Sequence, residues 1–194
     1  MSTGGGIRSA RVLAVGTGLR IALTPAIMAL LMVDGATPGD VAAVALALFF
    51  AAAATDWIDG RLARRWNVTT TFGSFLDTTA DKLLVTGVLI ALIAVERASP
   101  WIVMLIVGRE LVILALRGVV AGEGTVIQPS MLGKLKTTVQ FVAIALAIVR
   151  PGDAMGGAYL DEWAMLVAAA ITVVSAADYL ARFSSSLSTR SGTA

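Results

Sequence analysis

From Asp56 to Asp81 the chain reads DWIDGRLARRWNVTTTFGSFLDTTAD, with a strongly apolar run on either side. Four of the chain's 13 acidic residues fall in this window: Asp56, Asp59, Asp77 and Asp81. A carboxylate beside lipid is costly, so four gathered at the mouth of a membrane bundle need compensating charge. Asp56 and Asp59 are spaced i,i+3, and Asp77 and Asp81 i,i+4, so each pair shares one side of a helix. A polar stretch with Gly60, Ala63, Arg64, Thr70 and Gly73 lies between them. Two helix ends facing each other across that stretch would pool four carboxylates around one small volume. Hard oxygen donors of this kind suit Mg²⁺, Mn²⁺ or Ca²⁺ rather than zinc or copper. A purely structural reading stands beside this one: Asp56 and Asp59 pair with Arg61 and Arg64, and Asp77 caps a helix.

The composition around this window is that of a membrane protein. Of 194 residues 57% are hydrophobic and 14% charged, against roughly a quarter charged in a soluble domain. The mean hydropathy is +0.85. The expected fold is all-α: a polytopic membrane protein with six transmembrane helices and both termini cytoplasmic. A single membrane domain is expected over residues 1–183, with a disordered polar tail over 184–194. There is no cysteine and no histidine. Disulfides and thiolate sites are therefore excluded, and acid–base chemistry falls to Asp, Glu, Lys or Tyr. A formal net charge of +2 gives no reason to expect a nucleic-acid partner. No cleavable signal peptide is expected.

Apolar runs predict spans at about Val12–Val33, Val41–Thr55, Phe75–Val95, Trp101–Val120, Lys134–Val149 and Trp163–Phe183. Arg20 interrupts the first, and Pro25 is a candidate kink. Arg20 admits two readings: a side chain snorkelling to the interface, or a cation turned into the bundle toward an anionic ligand. Arg8, Arg11, Arg61, Arg64, Arg65, Arg117, Lys134, Lys136, Arg182 and Arg190 sort to one side of these spans, and Arg97 and Arg150 to the other. The positive-inside rule then puts the Asp window on the cytoplasmic face of the inner membrane.

Written with its gaps, the window is D-x2-D-G-x2-A-R-x8-G-x3-D-x3-D. This resembles the signature of the CDP-alcohol phosphotransferase family, with every fixed position present at the family's spacing. The resemblance implies an enzyme that moves a phosphoalkyl group from a CDP-linked donor to an alcohol and releases CMP. It implies Asp56, Asp59, Asp77 and Asp81 as ligands of two Mg²⁺, with Mn²⁺ as an alternative, and Asp81 as the general base. It further implies Gly60, Arg64 and Thr70 against the CDP moiety, Ala63 and Gly73 keeping its pocket open, and a homodimer.

Two further stretches, GRELVILALRG (Gly108–Gly118) and GKLKTTVQ (Gly133–Gln140), resemble the glycerol-3-phosphate branch of that family. They imply CDP-diacylglycerol as donor and glycerol-3-phosphate as acceptor. Chemically they supply Arg109, Arg117, Lys134 and Lys136 as candidate acceptor-phosphate residues. Membrane lipid headgroups are the other natural partner of these cations. Arg109 and Arg117 stand about 80° apart around a helix, and Lys134 and Lys136 about 200°, so one lysine at most faces a given cavity. Glu110 is a candidate internal partner for one arginine. At the first helix the family's Asn-Pro-Asn-like start is replaced by AVGTGLR (Ala14–Arg20), of which Thr17 and Arg20 still match. Inositol phosphate, or phosphatidylglycerol on the way to cardiolipin, would be alternative acceptors for the same chemistry. A divalent-cation transporter is the non-enzyme alternative. It would call for polar groups through both halves of the membrane, and the outer halves here are almost purely apolar.

Overall fold

A computed structural model describes the backbone of residues 3–33, 39–66, 71–122, 130–152 and 154–191, and the side chains of 15–33, 39–55, 73, 75–122, 130–152 and 154–184. Among these residues the secondary structure is helical: α1 (Thr3–Val33), α2 (Asp40–Trp66), α3 (Thr71–Ala94), α4 (Pro100–Gly122), α5 (Met131–Val149) and α6 (Leu160–Ser191). An isolated bridge between Met155 and Ala158 closes the turn before α6. That turn requires Gly156 and Gly157, whose φ of 64° and 86° suits residues without a Cβ.

Helix ends follow local chemistry. Pro100 opens α4, where its missing N–H costs nothing. Ser130 caps α5 by accepting from the Gly133 amide at 3.1 Å. At the other end of α5, Arg150 adopts a left-handed backbone and its amide donates to Leu146 O. The side chain of Arg97, almost fully buried, donates to the Ala147 and Ile148 carbonyls at 3.2 and 2.7 Å. It thereby satisfies acceptors that the last turn of a helix leaves open. Burial, and then the neighbouring Arg150, pull the Arg97 guanidinium below its ordinary value, against an opposing pull from Asp161. Arg150 in turn pairs with Asp161 at 3.1 Å and Glu162 at 3.5 Å.

The chain divides into two compact units, 1–96 and 97–194. In the first, α1 packs against both α2 and α3. Its core is Ile27 and Leu31 of α1, Ala45, Phe49 and Ala52 of α2, and Leu84, Val88 and Leu92 of α3. These recur at the three-to-four-residue spacing of one helix side. Gly87 marks a close crossing. A Cβ built there would lie 2.6 Å from Thr24 Cγ2 and 3.0 Å from Met28 Sδ. Thr24 cannot swing aside freely, because its hydroxyl donates to Arg20 O at 2.9 Å. Gly87→Ala is therefore expected to destabilise the protein by about 1–3 kcal/mol. Adding Thr24→Ser, which removes the obstructing methyl, should recover most of the loss in a thermal-unfolding assay in detergent.

In the second unit, α6 packs against α5 and α4, around Ile106, Ala143, Ile144, Ala147, Ile148, Met165 and Ala168. Many large apolar side chains point outward in both units, among them Val15, Phe50, Ile90, Trp101, Met104, Val119, Leu166 and Val174. Such surfaces suit a lipid surround. Val15–Val33, Met131–Val149 and Leu160–Ser184 are long and apolar enough to cross a membrane, and Asp40–Thr55 is a shorter apolar run. Charges interrupt the apolar character of α3 and α4: Asp77, Asp81 and Lys82 in one, Arg109, Glu110 and Arg117 in the other. α6 continues to Ser191, into the stretch read from sequence as a disordered tail. Extending an established helix costs far less than starting one.

Candidate active site

The motif residues distribute over two helices. Asp56, Asp59, Gly60, Ala63 and Arg64 lie in α2, which stays helical to Trp66 and so sets the two aspartates one turn apart. Their side chains lie outside the described residues, and so does Thr70 altogether. Gly73, Asp77 and Asp81 lie in the first turns of α3. Asp77 and Asp81 are both partly exposed. Asp81 Oδ2 accepts from Lys82 Nζ at 2.8 Å. Among the described residues no three acidic side chains gather as a metal set, two of the four motif carboxylates lying outside them. The donor chemistry fits a hard divalent cation: carboxylates on α2 and α3, in a chain with no nitrogen or sulfur ligand from His or Cys.

Arg20 turns inward. Its side chain is fully buried, and Nη2 lies 2.8 Å from Asp77 Oδ1. The snorkelling reading is thus set aside in favour of a cation inside the bundle. The geometry follows from the crossing at Gly87. Helix side chains lean toward the helix N-terminus, so Arg20, one turn before Thr24, reaches back along α1 toward the start of α3.

The second unit carries its own polar network. Glu110 of α4 sits between two cations: Arg109 Nη1 donates to Glu110 Oε1 at 3.1 Å, and the Lys136 ammonium of α5 pairs with the same oxygen. All three side chains are largely buried, Lys136 most of all. Arg109 Nη2 donates to Ser175 Oγ of α6 at 2.8 Å. Lys134 is exposed, so the lysine separation read from sequence resolves with Lys136 inward. Arg117 is exposed as well, its guanidinium 5.6 Å from the Tyr179 ring centre, within cation–π range. The Tyr179 hydroxyl is buried and meets no hydrogen-bond partner among the described residues.

Sequence reasoning passed over Ser175 and Tyr179. The signal was there in the spacing: Thr172, Ser175, Tyr179 and Arg182 follow one side of α6 at helical intervals, and Thr172, Ser175 and Tyr179 are buried.

Apolar outer faces, partly exposed motif carboxylates and buried, paired cations are those of a membrane protein with a charged site. The family model for CDP-alcohol phosphatidyltransferase matches residues 14–174. The chain belongs to that family and is a transferase. It is 42% identical to the CDP-diacylglycerol–glycerol-3-phosphate 3-phosphatidyltransferase of Bacillus subtilis (strain 168) over 137 residues, 70% of each chain. It is 42% identical to the protein of that name from Sodalis glossinidius (strain morsitans) over 138 residues, 69% of this chain and 74% of the relative. Its identity to the Escherichia coli (strain K12) protein of the same name is 41%, with the same coverage.

Proposed function

We propose that the protein transfers the phosphatidyl group of CDP-diacylglycerol to glycerol-3-phosphate, giving phosphatidylglycerophosphate and CMP, as a step of phospholipid biosynthesis. What carries this reading is the complete Asp56–Asp81 motif in a chain 41–42% identical to relatives named for that reaction. All six helices span the inner membrane with both termini cytoplasmic, following the distribution of Arg and Lys. Two such chains form a homodimer.

In this reading Asp56, Asp59, Asp77 and Asp81 hold two Mg²⁺ (or Mn²⁺), whose chemistry there is to offset the pyrophosphate charge and the charge building on departing CMP. Arg64 adds a charge-assisted hydrogen bond to phosphate. Gly60, Ala63 and Gly73 are small enough for backbone to approach the nucleotide, and Thr70 offers it a hydroxyl. Asp81 takes the proton of the acceptor hydroxyl, which then attacks the phosphorus bearing diacylglycerol. In the second unit, Arg117 and Lys134 are exposed and able to meet the acceptor phosphate directly. Arg109 and Lys136 are buried and tied through Glu110 and Ser175. Two cations sharing one carboxylate leave a positive excess, which suits an anionic acceptor.

The test is CMP release from CDP-diacylglycerol by purified protein with Mg²⁺, run in parallel with glycerol-3-phosphate, inositol phosphate, free inositol, serine and phosphatidylglycerol. Metal-dependent release with glycerol-3-phosphate alone is expected. Release with another acceptor alone would keep the Asp-motif chemistry and overturn the roles given to Arg109, Arg117, Lys134 and Lys136. No release with any acceptor would reopen the transporter alternative.

A further inference from the structure

Among the described residues Arg20 is the largest fully buried side chain, and it is a cation. Burying a guanidinium in an apolar bundle is costly unless its charge is met. Here it is met by Asp77, on another helix and 57 positions along the chain, at 2.8 Å. The surroundings hold it there. Thr17 and Thr24, about one turn to either side along α1, are buried. Thr24 donates to Arg20 O, and the absence of a Cβ at Gly87 leaves room for its methyl. Asp77, by contrast, keeps about a third of its side chain accessible: 36%. One carboxylate is thus held from the interior and presented to the outside.

We propose that Arg20 is a positioning residue for the metal site. By engaging Asp77 Oδ1 from within the bundle, it fixes the orientation in which Asp77 meets a divalent cation. Its rigid, planar guanidinium aims the Nη2 donor more narrowly than the freely rotating ammonium of a lysine would. The inference rests on the reading of Asp77 as a metal ligand.

Two effects of removing Arg20 have opposite sign. Taking away a nearby positive charge by itself strengthens cation binding. Losing the group that orients a ligand weakens it, by about 10–100-fold for outer-shell partners. The direction of the change therefore separates positioning from plain charge.

The experiment is Mn²⁺ binding to the full-length protein in detergent, followed by electron paramagnetic resonance of the ion, for wild type, Arg20→Met, Arg20→Lys, Asp77→Asn and the double variant Arg20→Met/Asp77→Asn. Circular dichroism and elution volume report that each variant is folded. Arg20→Met is expected to weaken Mn²⁺ binding at least tenfold, and Arg20→Lys by less. In the Asp77→Asn background Arg20→Met should add little, since its target is gone. Unchanged or tighter binding in folded Arg20→Met would overturn the proposal, as would a full additional loss in the double variant. Should Arg20→Met fail to fold, Arg20→Lys with and without Asp77→Asn decides on the same criteria. If Asp77→Asn alone leaves Mn²⁺ binding unchanged, the metal-ligand reading of Asp77 fails and this proposal falls with it.

Discussion

Asp81→Asn is expected to lower metal-dependent CMP release by on the order of 10²–10⁴-fold, the usual contribution of a positioned general base. CDP-diacylglycerol binding should persist, because three motif carboxylates and Arg64 remain. The magnitude is large because little can substitute. The chain has no histidine, and Lys82, next in sequence, is an ammonium with donors only and no lone pair to take a proton. Asparagine keeps the size and an oxygen donor but cannot accept a proton at neutral pH. Equilibrium binding of the CDP-lipid measured beside single-turnover chemistry separates the two roles. Near-normal turnover would remove Asp81 as the base.

Glu110→Ala should be the most destabilising single change in the second unit. Glu110, Arg109 and Lys136 have side chains 11%, 14% and 3% exposed, so little solvent screening weakens their interaction. Removing the carboxylate strands two buried cations that then repel each other. Breaking one buried pair costs about 3–5 kcal/mol, and this residue serves two partners. Replacing Lys136 by Met in the same chain should restore part of the loss, since buried pairs exchanged for well-packed apolar groups are often neutral. Thermal unfolding in detergent measures both. A loss below about 1 kcal/mol for Glu110→Ala would mean that the network is solvated and behaves as an ordinary surface cluster.

Much of this architecture was legible in the residues because its signals are local. Apolar runs between turns marked all six helices. α5 ends at Val149 as the run does, and the eight-residue step from Arg109 to Arg117 already separated their directions around α4. Pairings between distant residues were not legible. Nothing near Arg20 distinguishes an interfacial anchor from an interior cation, because the deciding group, Asp77, comes two helices later. Helical arithmetic showed that Lys134 and Lys136 diverge, but only the packing of α5 says which is buried. Ser175 and Tyr179 were overlooked because one hydroxyl in a run of Ala, Val and Leu alters hydropathy very little. The candidate site was legible as a pattern of carboxylates. The groups that restrain it were not, since they are defined by contact.

The tie between Arg97, Arg150, Asp161 and Glu162 has a bearing on the energised membrane. In the proposed orientation these residues lie on the far side, where Arg97 and Arg150 are the only cations the charge distribution puts there. Both are consumed: Arg150 by the two acids that open α6, Arg97 by helix-end carbonyls. Two positive and two negative charges gathered around the end of α5 and the start of α6 sum to zero. A displaced single charge would exchange about 2.3 kcal/mol with each 100 mV of potential, but a neutral knot exchanges almost none. That cluster of four charges is therefore electrically silent, and its pairing is expected to be the same in a resting vesicle as in a fully charged one.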